Sequence, residues 1–259
     1  MGFGRAGQKH FNVPALSNIM PLHKVWAEYF TKDMPDHVLV YLTQRRGLSG
    51  SVIKRHQLGW NKFRITIPIF GRNGALAFLK LARLPEENPE LPKFSCWPSG
   101  NSAELYGWEN IKLKPAVLVI CEGELDRLVL ESRGIPAVTG TAGANVFLPK
   151  WADALSSMPN LFVCFDRDEA GRKGAEQVAG LLPHARIVEL PEEVGRGGDI
   201  TDYFVRLGKS VTDFRKLLDE ATPIPEEQKQ RLVEKNSGVR PDHKGRAIYS
   251  SDPRIQFIK

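Results

Sequence analysis

The sequence predicts an α/β protein in which a parallel sheet flanked by helices follows a smaller, basic α+β subdomain. Three observations support this fold class. Apolar runs alternate with amphipathic helical stretches in the second half of the chain, which is typical of βαβ units. The first half contains a run with a period of two followed by an Asn-Gly turn, which predicts an antiparallel hairpin. The two halves also carry net charges of opposite sign.

The charge of the 259 residues is unevenly distributed along the chain. Residues 1–115 carry 16 Lys/Arg and 8 Asp/Glu, a net charge of +8, whereas residues 116–208 carry 9 and 14, a net charge of −5. Residues 209–259 have a net charge of +3, which gives +6 overall. A basic half beside an acidic half suggests that one half holds a polyanion and the other holds metal ions, although uneven surface charge is an open alternative.

The charge split and the change of pattern divide the chain into four segments. Residues 1–20, rich in Gly, Asn and Ser, are expected to form a flexible arm, and residues 21–115 a basic N-terminal subdomain. The parallel sheet is predicted for residues 116–208. Residues 209–259 are predicted to form a helical and linker tail, with a helix around residues 226–235.

The N-terminal subdomain is predicted to begin with helices and to continue as a hairpin. Helical patterns cover residues 22–30 and 35–45, and Ser49 is placed to cap a third helix that runs to about Gln57. The stretch W-N-K-F-R-I-T-I-P-I-F then predicts a strand with one buried face, which contains Phe63, Ile65, Ile67 and Ile69.

The turn G-R-N-G joins this strand to a second strand that ends at about Arg83. The Pro-rich residues 86–98 are expected to be irregular, and residues 104–115 to form a connector into the second half. In that half, strands are predicted at residues 116–121, 135–139, 161–165 and 185–190, with helices at residues 122–134, 148–156, 169–182 and 200–207.

Five carboxylates follow the predicted strands of the parallel sheet. Glu122 comes directly after one strand, and Asp166 and Asp168 come after another. Asp126 lies one helical turn beyond Glu122, and Asp199 follows the last strand. Because ligands of open parallel sheets bind beyond the carboxyl ends of the strands, we expect these five side chains to meet at one edge.

Such a cluster needs cations to be tolerated. A pair of like charges at 4 Å costs about 4 kcal/mol at an effective dielectric constant of 20. Oxygen ligands without Cys or His select Mg²⁺ or Mn²⁺, and such ions serve phosphoryl chemistry. Two structural roles remain open as alternatives to metal binding. An aspartate of the D-x-D motif often caps a helix, and a glutamate at a helix N-terminus is favoured by the helix dipole.

Other cofactors and locations are disfavoured by the sequence. The three cysteines are spaced apart and the six histidines are scattered, so no zinc site is expected. No apolar run approaches the roughly 20 residues that a membrane helix needs, and the first residues lack the apolar segment of a secretory signal. We therefore expect a cytoplasmic protein.

The motifs around the acids resemble those of a known domain. E-G-E-L-D, D-R-D-E-A-G-R-K-G and G-G-D-I-T-D-Y-F follow predicted strands in the same order as in the Toprim domain, over about residues 116–208. The stretches Y-L-T-Q-R-R-G-L-S, L-G-W, I-T-I-P-I-F-G-R-N-G, L-P-K-F and E-L-Y-G-W-E resemble the basic subdomain that precedes Toprim in DnaG-type primases and phage primase–helicases. Together the resemblance spans roughly residues 35–208.

The resemblance implies roles for individual residues. Glu122, Asp166 and Asp168 match the acids that carry two or more Mg²⁺ or Mn²⁺ ions, and Asp126 and Asp199 match supporting acids. The basic residues that hold the template and the triphosphate map to Arg46 and Lys93, which join the catalytic set, with Arg83 as a further match. From the residues alone we add as nucleotide- or DNA-binding candidates Arg64, Lys80, Arg172 and Lys173.

The function implied by the resemblance is that of a DNA primase core. It would bind single-stranded DNA and ribonucleoside triphosphates and synthesise RNA primers, with a replicative helicase as a further partner. The N-terminal zinc-binding module usual in such enzymes cannot be built from this sequence. Two alternatives stay open: a Toprim nuclease that cleaves phosphodiesters, and a non-catalytic module that binds single-stranded DNA within a replication complex.

Overall fold

The computed structural model describes the central part of the chain. The described residues are 27, 30–32, 34–85, 87, 89–143, 146–225 and 227. The predicted arm at residues 1–20, most of the predicted helix at residues 22–30 and nearly all of that at residues 226–235 lie outside the described residues.

In residues 34–98, the N-terminal subdomain contains two helices with full bounds and a four-stranded antiparallel sheet. Helix α1 (Asp36–Val40) continues as a π-helical turn (Tyr41–Arg45), which confirms the helix predicted at residues 35–45. Helix α2 (Gly50–Arg55) begins as predicted, because the Ser49 hydroxyl oxygen accepts a hydrogen bond from the backbone N–H of Val52 at 3.3 Å.

The antiparallel sheet contains the predicted hairpin and one strand more. Its strands, in spatial order, are β1 (Gly59–Trp60), β2 (Ile65–Phe70), β3 (Leu76–Ala82) and β4 (Phe94–Trp97). The β2–β3 pairing confirms the hairpin. The prediction that residues 86–98 are irregular was wrong for β4, because a four-residue strand between prolines has too little alternation to be recognised.

Strand β2 is buried on both faces, whereas the sequence predicted that only one face would be buried. One face packs on α1 and α2 through Ile65 and Ile67, but Thr66 and Pro68 on the other face are also buried. Phe63, predicted to lie in the buried face, precedes the strand and is 66% exposed. The period of two therefore identified the strand correctly but not the cover on its second face.

The second sheet has six strands in the order β10-β9-β8-β6-β7-β5. The four central strands are parallel, and the two edge strands are antiparallel to their neighbours, which confirms the α/β fold class. The strands are β5 (Leu105–Tyr106), β6 (Leu118–Cys121), β7 (Ala137–Gly140), β8 (Leu161–Cys164), β9 (Arg186–Ile187) and β10 (Thr222–Pro223).

Helices cover both faces of this sheet. They are α3 (Trp108–Leu113), α4 (Glu124–Ser132), α5 (Pro149–Leu155), α6 (Glu169–Leu181) and α7 (Val211–Glu220), with a 3₁₀ turn at Glu192–Val194 and a π-helical turn at Asp202–Arg206. One apolar core contains residues of α5 and α6, and the other contains residues of α4 and α7. None of the helices in the described part of the chain has the length and apolar character needed to span a bilayer.

The second sheet and its helices extend beyond residues 116–208 at both ends. The predicted connector at residues 104–115 contains β5, which pairs with β7, and α3. In the predicted tail, α7 packs into the core through Phe214 and Leu218, and β10 pairs with β9. The pattern hid β5 and β10 because two-residue edge strands are too short to show a period, whereas α7 lies in the segment predicted to be partly helical.

Candidate metal and nucleotide site

The carboxyl ends of β6 and β8 bring Glu122 and Asp166 together. The two strands are parallel neighbours in which Cys121 is paired with Cys164, so the residues that follow them leave the same edge of the sheet. The backbone N–H of Asp166 donates a hydrogen bond to Oε2 of Glu122 at 3.2 Å. This contact joins the two strand ends on which the predicted site depends.

Asp126 lies in the first turn of α4, directly behind Glu122. Its side chain is buried, and its Oδ1 atom has no hydrogen-bond partner. The residue between the strand and the helix is Gly123, and a Cβ atom there would lie 2.9 Å from Oδ2 of Asp126. Glycine at this position therefore lets the strand end approach the buried carboxylate.

Asp168 has the structural role that the sequence left open, because it caps α6. Its Oδ1 accepts a hydrogen bond from the backbone N–H of Gly171 at 2.7 Å. Any side chain at residue 171 would collide with the backbone carbonyl of Asp166, so glycine is needed for the first turn to close over the strand end. A capping aspartate has one oxygen committed to the helix and a second oxygen available to a ligand.

Asp199 is held at the same edge by a loop that contacts the D-R-D segment. Arg167 exchanges backbone hydrogen bonds with this loop, donating to Gly198 at 3.0 Å and accepting from Gly197 at 2.9 Å. Asp199 and Asp202 each accept a hydrogen bond from the backbone N–H of the other, at 2.8 and 3.2 Å. The last predicted acid thus reaches the edge by a rigid connection.

The acids raise one another's pKa values. Burial and the carboxylates of Asp126 and Glu122 raise the pKa of Asp166 to about 8. Burial and the charge of Asp199 raise the pKa of Asp126 to about 7, against the opposing charge of Arg46. Burial also raises the pKa of Glu122. The cluster therefore holds more negative charge than its surroundings balance.

Two cations of the N-terminal subdomain face this excess of negative charge. The guanidinium group of Arg46 lies 3.5 Å from Oδ2 of Asp199 and 3.9 Å from Oδ1 of Asp126. Lys93 is exposed, and its charge lowers the pKa of both Glu122 and Asp126. The two residues that the resemblance assigns to triphosphate and template therefore flank the acids.

The donor set of this edge fits a hard divalent cation. All five side chains offer carboxylate oxygen, and the buried Oδ1 of Asp126 lacks a hydrogen-bond donor. No three of these five carboxylates have oxygen atoms that all lie within 4.8 Å of one another, so the oxygens are more widely spaced than the ligands of a single ion. Among the described residues, the group of three or more His, Cys, Asp or Glu side chains whose ligand atoms lie within 4.8 Å of one another is His56, Glu109 and Glu131.

In the histidine-containing group, the guanidinium of an arginine already occupies the position between the acids that a metal ion would take. The guanidinium of Arg127, which has no exposed surface, contacts Glu109 and lies 2.5 Å from Glu131. Nε2 of His56 lies 2.5 Å from the other oxygen of Glu131. This buried network has its own cation, and it links α2 of the first subdomain to α3 and α4 of the second.

Two predicted DNA-binding residues are buried and serve other purposes. Arg64 is 8% exposed, and its Nη1 atom donates to the carbonyl oxygen of Pro92 at 2.9 Å. Lys80 is 7% exposed, contacts the carboxylate of Glu124 and donates to the carbonyl of Thr141 at 2.8 Å. The expectation that these two side chains contact nucleic acid was wrong, because backbone carbonyls and a buried carboxylate already occupy them.

Of the remaining basic candidates, Arg83 is half-buried and donates to the carbonyl of Glu87 at 3.0 Å. Arg172 and Lys173 lie at the surface and are paired along α6, with Glu176 and Glu169 respectively, each at 2.5 Å. Arg172 also lines a cavity of ≈880 Å³ beside the strand ends, together with Asp166, Asp168, Arg167 and Arg196. The side chains of Arg172 and Lys173 can exchange their weak surface partners for another anion.

Sequence reasoning missed Glu124, although it lies inside the motif E-G-E-L-D. It is the first residue of α4, is almost fully buried, and forms the ion pair with Lys80 across the two subdomains. A second acid two residues after a strand-end glutamate was the available signal. Burial raises the pKa of Glu124, whereas the charge and hydrogen bond of Lys80 lower it.

Comparisons with known proteins agree with this geometry. The family described as Toprim-like matches residues 119–204. The gene 57 protein of Mycobacterium phage D29 is 32% identical over 138 residues, which cover 53% of this chain and 85% of that protein. The DNA primase of Legionella pneumophila is 26% identical over 270 residues, which cover 84% of this chain and 45% of that primase. The chain thus spans less than half the length of this primase.

Solved structures show the same fold. The Aquifex aeolicus primase, solved with its zinc binding and RNA polymerase domains, has a TM-score of 0.64 at 20% identity, over 82% of this chain and 65% of that chain. A DnaG primase catalytic domain bound to ssDNA has a TM-score of 0.63 at 21% identity, over 82% of this chain and 81% of that chain. The chain therefore carries a Toprim-like domain within the fold of primase catalytic cores. It is similar in sequence to DNA primases over most of its length.

Proposed function

We propose that this chain is the catalytic core of a primase that synthesises short RNA primers on single-stranded DNA. The observation that carries the proposal is the meeting of Glu122, Asp126, Asp166, Asp168 and Asp199 at one sheet edge. Cations of the other subdomain face them. An arrangement of this kind suits the joining of nucleotides, in which several negatively charged phosphates come together.

The acids would hold divalent ions. Glu122, Asp166 and Asp168 are the proposed ligands of two or more Mg²⁺ or Mn²⁺ ions, with Asp126 and Asp199 in support. When bound, such ions would neutralise charge on the phosphates and help to activate the attacking oxygen. The raised pKa values of Asp126 and Asp166 support this proposal, since an added positive charge is what these groups lack.

The cations beside the acids would place the nucleic acid. Arg46 is held by Asp126 and Asp199, so its position is fixed before any substrate arrives. Lys93 is exposed beside the acids and is free to contact a phosphate of the triphosphate or the template. The DnaG catalytic domain that shares this fold is bound to ssDNA, which supports a single-stranded template here as well. A helicase remains a proposed partner.

An incorporation assay tests the proposal. The protein is incubated with single-stranded DNA, Mg²⁺ or Mn²⁺ and labelled nucleotides, with the four ribonucleotides tested against the four deoxyribonucleotides. We expect labelled RNA from the wild type and none from the Asp166→Asn, Asp168→Asn double variant. Asparagine still caps a helix, so α6 stays intact. Asp153→Asn, an exposed change on α5, is the matched control.

Two outcomes would replace the primase proposal by another function. Cleavage of DNA without nucleotide addition would indicate the Toprim nuclease, with water as the nucleophile. Binding of single-stranded DNA that needs no metal, falls steeply with salt and leads to no product would indicate the non-catalytic module. RNA synthesis that persists in the double variant would show that these acids do not hold the catalytic ions.

A further inference from the structure

The turn between β1 and β2 presents an aromatic ring to solvent. Phe63 is 66% exposed, and it is the one aromatic side chain among the strongly exposed large hydrophobic residues in the described part of the chain. Exposed single apolar residues are common, but an exposed phenylalanine in a basic subdomain differs from its neighbours. Two lysine or arginine side chains, Lys62 and Arg64, flank it in sequence.

The turn is built to hold this ring in place. Oδ1 of Asn61 accepts hydrogen bonds from the backbone N–H groups of Phe63 and Arg64, at 3.1 and 2.7 Å. Lys62 has a φ of 75°, a left-handed conformation that non-glycine residues rarely adopt. The buried side chain of Arg64 then fixes the turn to the carbonyl of Pro92. Phe63 is thus exposed on a rigid support.

The ring lies at the end of the antiparallel sheet that carries Lys93. Ile65 of β2 pairs with Ala82 of β3, and Ala82 pairs with Phe94 of β4, so the residues just before Ile65 and Phe94 share one end of the sheet. The contact between Arg64 and Pro92, the residue before Lys93, confirms this closeness. Lys93 in turn is exposed and lies near enough to Glu122 for its charge to act on that carboxylate.

An exposed ring beside lysines suits one kind of ligand. Every nucleic-acid base has a flat face that stacks on an aromatic ring, and the adjacent phosphates attract basic side chains. Double-stranded nucleic acid hides these faces within its own stack, so a single strand is the better match. A protein partner would need a contiguous apolar patch, whereas Lys62, which precedes Phe63, is charged and exposed.

We infer that Phe63 stacks on a base of the single-stranded template a few nucleotides from the site of synthesis. Arg64, placed wrongly among the DNA ligands by sequence reasoning, is on this view a positioning residue that holds the turn. The inference rests on the proposed function, since it assumes that the basic subdomain binds single-stranded DNA. It adds a binding residue that the acidic motifs do not indicate.

The test compares Phe63→Ala with Phe63→Trp in equilibrium binding of fluorescent single-stranded DNA by anisotropy, without divalent ions. Loss of one stacked base weakens binding about 5- to 100-fold, so Phe63→Ala should show a loss in this range and Phe63→Trp should bind like the wild type. The matched control is Leu113→Ala, which removes a 77% exposed apolar side chain from α3. The slope of log affinity against log salt should not change, because no phosphate contact is removed.

A second measurement locates the stacked base and separates the two ways of failing. A series of oligonucleotides is made, each with a single abasic site at a different position. At one position the abasic site should weaken binding by the wild type but leave binding by Phe63→Ala unchanged. If Phe63→Ala binds as tightly as the wild type, the stacking inference is overturned and the primase proposal stands. If the wild type itself does not bind single-stranded DNA, the proposed function fails first. Circular dichroism of each variant checks that a weaker binder is still folded.

Discussion

Two charged clusters share helix α4, and their charges are balanced in opposite ways. Asp126 belongs to the strand-end acids, whereas the next residue, Arg127, belongs to the buried network with Glu109, Glu131 and His56. In the buried network, burial acts to raise the pKa of Glu131, but the hydrogen bond with His56 and the charge of Arg127 outweigh it and lower that pKa. In the acidic cluster, burial and neighbouring carboxylates raise the pKa of Asp126 to about 7.

The two clusters therefore differ in their effect on the fold. The charges of the buried network stabilise it, whereas the repulsion among the strand-end acids destabilises it. Arg127 also donates from Nε to the carbonyl of Ala137 at 3.1 Å and lies over the ring of Tyr106. The buried network is therefore nearly complete without a ligand. In the acidic cluster, the charges of Arg46 and Lys93 oppose the raised pKa values of Asp126 and Glu122 but do not offset them, so this part of the described chain is the one that added cations would balance.

Breaking the buried network should have the largest effect on stability. Arg127→Met leaves Glu131 buried without its main cation, and removal of one partner from a buried ion pair costs about 3–5 kcal/mol of unfolding free energy. Urea denaturation at neutral pH measures this loss. A change below about 1 kcal/mol would contradict the view that the network holds the fold together.

Replacing Glu122 in the acidic cluster should reduce synthesis without reducing stability. Glu122→Gln keeps the size of the side chain and an oxygen that can accept from the backbone N–H of Asp166, but it removes a proposed metal ligand. We expect RNA synthesis to fall about 100- to 1000-fold, with an unchanged urea midpoint. Equal losses of activity and stability would mean that Glu122 is structural.

Asp126→Asn should stabilise the metal-free protein at pH 8. The folded pKa of about 7 lies above the unfolded value near 4, so the folded state binds more protons and wild-type stability falls as pH rises through this window. We expect a gain of about 2 kcal/mol at pH 8, roughly half of what the shift gives at about 1.4 kcal/mol per unit, because Arg46 loses a partner.

Two conditions sharpen this expectation about Asp126. The gain should be mostly lost by about pH 4 and absent near pH 3, which lies below both the folded and the unfolded pKa of Asp126. Addition of Mg²⁺ at pH 8 should stabilise the wild type more than Asp126→Asn. The difference in unfolding free energy between the two proteins should therefore become smaller. A gain that is constant from pH 4 to pH 8 would show that it arises from packing and not from charge.

Changes at the surface of α6 should have the smallest effect. Arg172→Ala removes an exposed pair with Glu176, and such pairs contribute about 0–1 kcal/mol. Urea denaturation should therefore show a change within about 0.5 kcal/mol of the wild type. A larger loss would mean that the ion pairs of α6 belong with the buried network.

The sequence predicted the acidic cluster better than the basic surface, for a physical reason. Parallel strands fix where their carboxyl ends lie, so Glu122 and Asp166 could be placed together from pattern alone. Lysine and arginine carry no such positional rule. Whether Lys80 meets solvent or the buried Glu124 depends on how two subdomains pack, which no local pattern shows.

The same limit explains the missed elements of the fold. Strand β4 and the edge strands β5 and β10 are short, and their pairing partners are distant in sequence. The two-sided burial of β2 likewise depends on residues far along the chain. Long periodic segments such as α6 were predicted correctly, because their own pattern is sufficient.

The ion pair of Lys80 and Glu124 has a mechanical consequence. It ties β3 to the start of α4, two residues from Glu122, and Lys80 also holds the carbonyl of Thr141. Moving the subdomains apart would leave two buried charges without partners, which is costly. The pair therefore fixes how the basic subdomain sits beside the strand-end acids.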